Sequence, residues 1–305
     1  MIGRVIAFVL MVSSLAAAQS ATARPATQPT TRMAAKTGAF HIAFTDQSPL
    51  SPIEAQNKRH HIKVEAIQRY NLTEESFEAF VPEDYDGKTK FGILVWVNAG
   101  GRGNMPRGWQ ELLSSHHLIG IGANQSGNER GIGVRFGLAL DGVHNLKKIY
   151  SIDEQRVYVS GISGGGKVAS MLPIIYPEVF HGAIPICGVS WYQNIPVPGE
   201  TNKVYPRNFD RPPTITFDKA KLGRFVLITG SNDMNRDPTQ ATYELGFKKD
   251  GFKNVEYVEV PGMGHQIPDT DVIEKAIASI DAPWPAPPTP KKPGSSAAKP
   301  ASPAR

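Results

Sequence analysis

One stretch of the chain carries residues able to do nucleophilic chemistry: Gly161-Ile162-Ser163-Gly164-Gly165, a G-x-S-x-G. The pattern has a steric reason. A strand that turns sharply into a helix leaves the middle serine strained at its tip, and side chains two residues either side would strike neighbouring backbone. The serine hydroxyl then stands at a strand end, at the start of a helix, and the Gly164 N–H faces the same space, where a developing oxyanion can sit. The stretch lacks the spacing of a P-loop or of a dinucleotide fingerprint.

A serine hydroxyl is a weak nucleophile. It needs a base, usually a histidine, which a carboxylate orients. On sheets carrying this turn the partners follow in the order acid, then histidine. Two histidines lie downstream. His181 opens a strand and belongs at the far end of a parallel sheet, whereas His265, in Pro261-Gly-Met-Gly-His265, follows the last expected strand at the serine's own end. His265 is the expected base. The acid is expected in the loop before it, Gly230-Ser-Asn-Asp233. Asp233 is preferred, with Asp237 as runner-up because Asp237-Pro238 reads as a helix cap. A second oxyanion donor is expected from the loop Asn98-Ala-Gly-Gly-Arg-Gly103, through the amide of Gly100 or Gly101.

Elements of suitable type surround these residues. Apolar runs predict strands at Phe40–Phe44, Ser76–Val81, Phe91–Val97, His117–Ile121, Arg156–Ser160, His181–Cys187, Arg224–Thr229 and Val255–Val260. Helical spacing predicts helices at Val134–Tyr150, Gly165–Tyr176, Asp237–Lys249 and Asp269–Ser279. Alternating strands and helices indicate an α/β fold, a mainly parallel central sheet flanked by helices. The segment 189–223, with Trp191, Tyr192 and Phe209, has no periodicity and is read equally as a pocket wall or a surface loop.

The 305 residues suit one large domain, expected at 39–281. Arg4, the apolar run from Val5 to Leu15 and Ala16-Ala-Ala18 read as a signal peptide over 1–18, too short for a spanning helix, which predicts a secreted or periplasmic protein with no stable membrane span after cleavage. Cleavage after Ala23 is the second choice. A flexible linker over 19–38 and a disordered Pro/Ala/Lys-rich tail over 282–305 complete the division. The net charge of +5 belongs to the ends: eight basic residues lie outside the body, leaving 25 basic against 28 acidic residues over 37–281. A body of net −3 is a poor nucleic-acid binder, so no nucleic-acid partner is expected. One cysteine, Cys187, excludes an internal disulfide and multi-thiolate zinc sites. Neither His60-His61, His116-His117 nor His144 has metal-ligand spacing, and no metal or cofactor is expected.

Arg156-Val-Tyr-Val-Ser-Gly-Ile-Ser-Gly-Gly-Gly166, with Tyr176-Pro-Glu-Val-Phe180, Thr229-Gly-Ser-Asn-Asp233 and Gly262-Met-Gly-His265, resembles the secreted polyhydroxybutyrate depolymerase and feruloyl esterase branch of the α/β-hydrolases over about 76–280. The resemblance implies the α/β-hydrolase fold and cleavage of a small-molecule or polymer ester through an acyl-enzyme, with Ser163, Asp233 and His265 as nucleophile, acid and base. The chain departs from that branch at Asn98, where a histidine is usual, and in having a single cysteine. Two other readings share the turn: a serine peptidase of the prolyl-oligopeptidase kind, whose extra domain has no room here, and a non-catalytic binding module on the same scaffold.

Overall fold

The computed structural model describes residues 35–59 and 69–282. The expected signal peptide, nearly all of the linker and tail, and His60-His61 lie outside the described residues. The one described stretch of the linker runs into structure, since the first strand, β1, is Gly38–Ile42.

Eight strands form one sheet. After β1 come β2 (Phe77–Val81), β3 (Phe91–Val97), β4 (Leu118–Ala123), β5 (Ile152–Ile162) and β6 (Gly182–Ile186). A two-residue pair, β7 (Ile195–Pro196) and β8 (Val204–Tyr205), stands apart, and β9 (Arg224–Gly230) and β10 (Asn254–Val260) finish the sheet. The order is β1-β2-β4-β3-β5-β6-β9-β10. Only β2 runs against its neighbours; from β4 to β10 every pairing is parallel. The sequence marks Ser76–Val81 as an edge-side strand, and it is one in from the edge, covered by β1.

The helices are α1 (Ile53–Asn57), α2 (Trp109–Ser115), α3 (Ile132–Ile149), α4 (Gly164–Ile175), α5 (Thr214–Ala220), α6 (Arg236–Thr242, running into a π-helical turn Tyr243–Lys248) and α7 (Thr270–Asp281). They cover both sheet faces, which explains the unbroken apolar run of β3. Ile93, Val95 and Val97 face the core built with α3 and α4, while the alternate residues Leu94 and Trp96 face the core built with α2 and α7. Trp109 of α2 is fully buried, edge-on to Trp96 at 5.1 Å between ring centroids, and packs the core.

The aperiodic segment 189–223 is no loose surface loop. Trp191, Tyr192 and Phe209 are buried with Phe217, Phe225, Phe247 and Phe252 in an aromatic cluster. Beyond that cluster the β7–β8 hairpin and α6 form an open groove of about 520 Å³ lined by Pro196, Pro198, Tyr205, Asp237 and Leu245. Among the described residues no helix is long and apolar enough to cross a membrane.

Candidate active site

β5 ends at Ile162, and Ser163 turns the chain into α4 with φ 58° and ψ −119°, a backbone conformation that L-residues rarely adopt. Both of its backbone groups are held: its N–H donates to Ile186 O (2.8 Å) and its carbonyl accepts from Lys167 N–H (3.0 Å). The flanking glycines are required by close approach. A methyl at Gly161 would lie 2.5 Å from Val97 O, one at Gly165 1.9 Å from the same oxygen, and one at Gly188 2.3 Å from Ser163 O. The turn is thus pressed onto the end of β3 on one side and the β6 exit on the other.

Asp233 and His265 meet as the sequence order predicts. His265 Nδ1 donates to Asp233 Oδ1 at 2.7 Å. The Asp233 side chain is wholly buried and also accepts from Asn235 N–H (3.1 Å) and Thr229 Oγ1 (2.8 Å). Burial works to raise its carboxyl, but the hydrogen bonds from His265, Asn235, Cys187 and Thr229 outweigh burial and hold it below the usual aspartate range. With Nδ1 committed to Asp233, Nε2 is the His265 nitrogen left for a hydroxyl. Asp237 takes no part: its side chain is 69 % exposed and pairs with Arg236. Nor does it cap α6, whose N-cap is Asn235. His181 lies at the opposite end of the sheet, its N–H on Val157 O before β6 begins.

Cys187 connects the serine to this pair, a position with no signal in the sequence. It follows Ile186, the acceptor of the Ser163 N–H, and has a positive φ of 51°. Its Sγ, the Asp233 carboxylate and a ring nitrogen of His265 all lie within 4.8 Å of one another. Burial, reinforced by Asp233, pushes the thiol up to about 12, so it is a neutral packing and hydrogen-bonding group. That trio has metal-ligand atoms, but the Asp233 and His265 atoms are already bonded to each other. Among the described residues Ser163 Oγ makes no hydrogen bond to His265. The imidazole sits in a loop and is 29 % exposed.

Of the expected oxyanion donors, Gly164 is the first residue of α4, where backbone N–H groups lack helical partners. Gly100 N–H donates to its neighbour Asn98 Oδ1 (3.0 Å) and is therefore occupied. The carbonyl of Gly101 is anchored by Gln125 N–H (2.7 Å), and its own N–H has no partner among the described residues. Behind these groups lies Arg135 of α3, buried, its guanidinium spread over the carbonyls of Asn98, Ser126 and Gly164. Burial brings it down to about 10, still a cation at neutral pH. Sequence periodicity places position 135 within a helix and gives no sign of this use. His116 lies between the carboxylates of Glu274 and Asp281, and His117 and His144 lie beside those of Asp84 and Asp46.

No protein-family model matches the chain. A stretch of 46 residues is 48 % identical to poly(3-hydroxyalkanoate) depolymerase C of Paucimonas lemoignei, spanning 15 % of this chain and 11 % of that protein. Solved structures resemble it over a far greater length. The S-formylglutathione hydrolase of Staphylococcus aureus superposes with a TM-score of 0.53 at 14 % identity, covering 80 % of this chain and 100 % of that one. A ferulic acid esterase gives 0.52 at 13 % identity over 80 % and 97 %. The fluorophosphonate-binding serine hydrolase F of Staphylococcus aureus gives 0.52 at 14 % identity over 80 % and 99 %. These likenesses and the mainly parallel eight-stranded sheet flanked by helices show the fold: the chain has the α/β-hydrolase fold.

Proposed function

We propose that the protein is an exported serine hydrolase that cleaves carboxylic esters through an acyl-enzyme. The observation that carries this reading is Ser163 in its strained turn at the same end of the parallel strands as the hydrogen-bonded Asp233–His265 pair. Ser163 Oγ attacks the ester carbonyl as His265 Nε2 takes its proton, and Asp233 stabilises the imidazolium. The tetrahedral oxyanion is received by Gly164 N–H and an amide of the 98–101 loop. Gly101 N–H has no partner among the described residues, and Gly100 becomes free when substrate displaces the Asn98 carboxamide. Collapse breaks the ester C–O bond, and the imidazolium returns its proton to the departing alkoxide. Water, deprotonated by His265, then attacks the acyl-Ser163 carbonyl, and the acid leaves with the serine reprotonated.

Export rests on the leader-like residues 1–18, cut after Ala18, with 19–38 as a linker, 39–281 as the catalytic domain and 282–305 as a tail. A polymer ester is a candidate substrate beside small esters, because the relative sharing the 46-residue stretch is a depolymerase. Purified protein should hydrolyse short-chain aryl esters and be labelled at Ser163 by a fluorophosphonate, and Ser163→Ala should lose both while keeping its circular dichroism. Turnover surviving in Ser163→Ala would refute the assignment.

A further inference from the structure

Arg135 comes from α3, a helix that contributes nothing to the Ser163, Asp233 and His265 set. Its side chain donates four hydrogen bonds: Nε to Ser126 O (2.9 Å), Nη1 to Asn128 Oδ1 (3.3 Å) and to Gly164 O (3.3 Å), and Nη2 to Asn98 O (3.0 Å). Every acceptor is neutral. Among the described residues no carboxylate forms an ion pair with it, and Glu129 acts on it only through space. Burying a guanidinium without a counter-ion is costly, and an apolar side chain would fill the position more cheaply.

The acceptors show what the cation holds. Gly164 and Asn98 belong to the two segments whose separation defines the oxyanion site. Ser126 and Asn128 belong to the loop between β4 and α3. That loop grips the glycine segment, through Asn128 N–H to Ala99 O (2.8 Å) and Gln125 N–H to Gly101 O (2.7 Å). A planar fork of fixed geometry therefore ties three backbone segments together, which a lysine cannot do.

We propose that Arg135 is the positioning residue of the oxyanion site: its guanidinium clamps the 98–101 loop to the nucleophile turn and leaves an uncompensated positive charge behind the place where the tetrahedral oxyanion forms. The proposal rests on the ester-hydrolase reading above. Carbonyl acceptors, unlike a carboxylate, satisfy the N–H groups without cancelling the charge, so its field remains for the reaction. No substrate contact is required of Arg135 itself.

The test compares wild type, Arg135→Lys and Arg135→Met on a 4-nitrophenyl ester, with kcat referred to active sites titrated by a fluorophosphonate. Losing an oxyanion-site support is expected to lower kcat about 100-fold in Arg135→Met and about 10-fold in Arg135→Lys. KM should stay within about 3-fold, because the interaction develops in the transition state. Affinity for a boronic acid that mimics the tetrahedral anion should fall in step with kcat. A purely structural role would instead lower the titratable fraction and the melting temperature and leave kcat per site and boronate affinity unchanged, which would overturn the proposal. Should Arg135→Met not fold, the same ratios read on Arg135→Lys decide. A wild type that neither turns over esters nor is labelled defeats the ester-hydrolase reading itself, whereas an active wild type with indifferent variants defeats the Arg135 assignment alone.

Discussion

Asp233 Oδ1 and His265 Nδ1 are 2.7 Å apart, although 32 residues, a helix and a strand separate them in the chain. The hydrogen bond fixes which ring nitrogen carries the proton. Asp233→Asn keeps the shape but presents a donor to that nitrogen, favouring the wrong tautomer. We expect kcat on an aryl ester to fall about 10⁴-fold with KM little changed, measured at saturating substrate.

The same contact makes stability depend on acid. The Asp233 carboxyl titrates lower in the folded protein than in the unfolded chain. Its contribution is therefore fully present above the ordinary aspartate range and is lost as pH falls through the lowered folded value. Melting temperatures followed downward from pH 6 should decline more steeply for the wild type than for Asp233→Asn. Parallel curves would remove Asp233 from the account.

Ser163 sits at φ 58°, a strain of about 1–3 kcal/mol for a residue with a side chain. Ser163→Gly should relieve it, raising the urea midpoint while abolishing ester turnover. Gly165→Ala should do the reverse to stability, costing about 1–3 kcal/mol or more, because its methyl would stand 1.9 Å from Val97 O. Urea titration of both variants checks the opposite signs.

Arg156 holds Asp281 at the end of α7 with two bonds of 2.7 Å, and Tyr158 Oη donates to the same carboxylate at 2.9 Å. Asp281→Ala should destabilise the fold by about 2 kcal/mol and leave kcat per titrated site unchanged, since this cluster serves packing rather than chemistry.

Cys187, a neutral buried thiol, should resist iodoacetamide at pH 8 in the native protein and react once the protein is unfolded in urea. Mass spectrometry of the two samples distinguishes them.

The sequence makes some of this plain and hides the rest for physical reasons. Phe91–Val97 reads as a buried strand because a strand covered on both faces must be apolar throughout, and its bounds match the structure. The turn at Ser163 is legible because its glycines are forced by backbone contact, and Asp233 and His265 because chain order ranks the candidates. Arg135 and Cys187 are illegible. Their partners are backbone carbonyls and residues distant in the chain, which leave no periodic or spaced signal. The Asn98 side chain on Gly100 N–H is a local turn that composition cannot distinguish from a free glycine loop. The short helix α5, seven residues, also passes unseen, since so few turns give the apolar period no length in which to show.

The pressure of Gly161 and Gly165 on Val97 O has a bearing on how such a protein can diversify. No larger residue fits at either glycine, so the reactive corner is closed to gradual remodelling. The 189–223 insertion is anchored by its own cluster of rings, and its hairpin can change length or lining without disturbing that corner. Substitutions and changes of length should therefore be tolerated in the hairpin more readily than around Ser163.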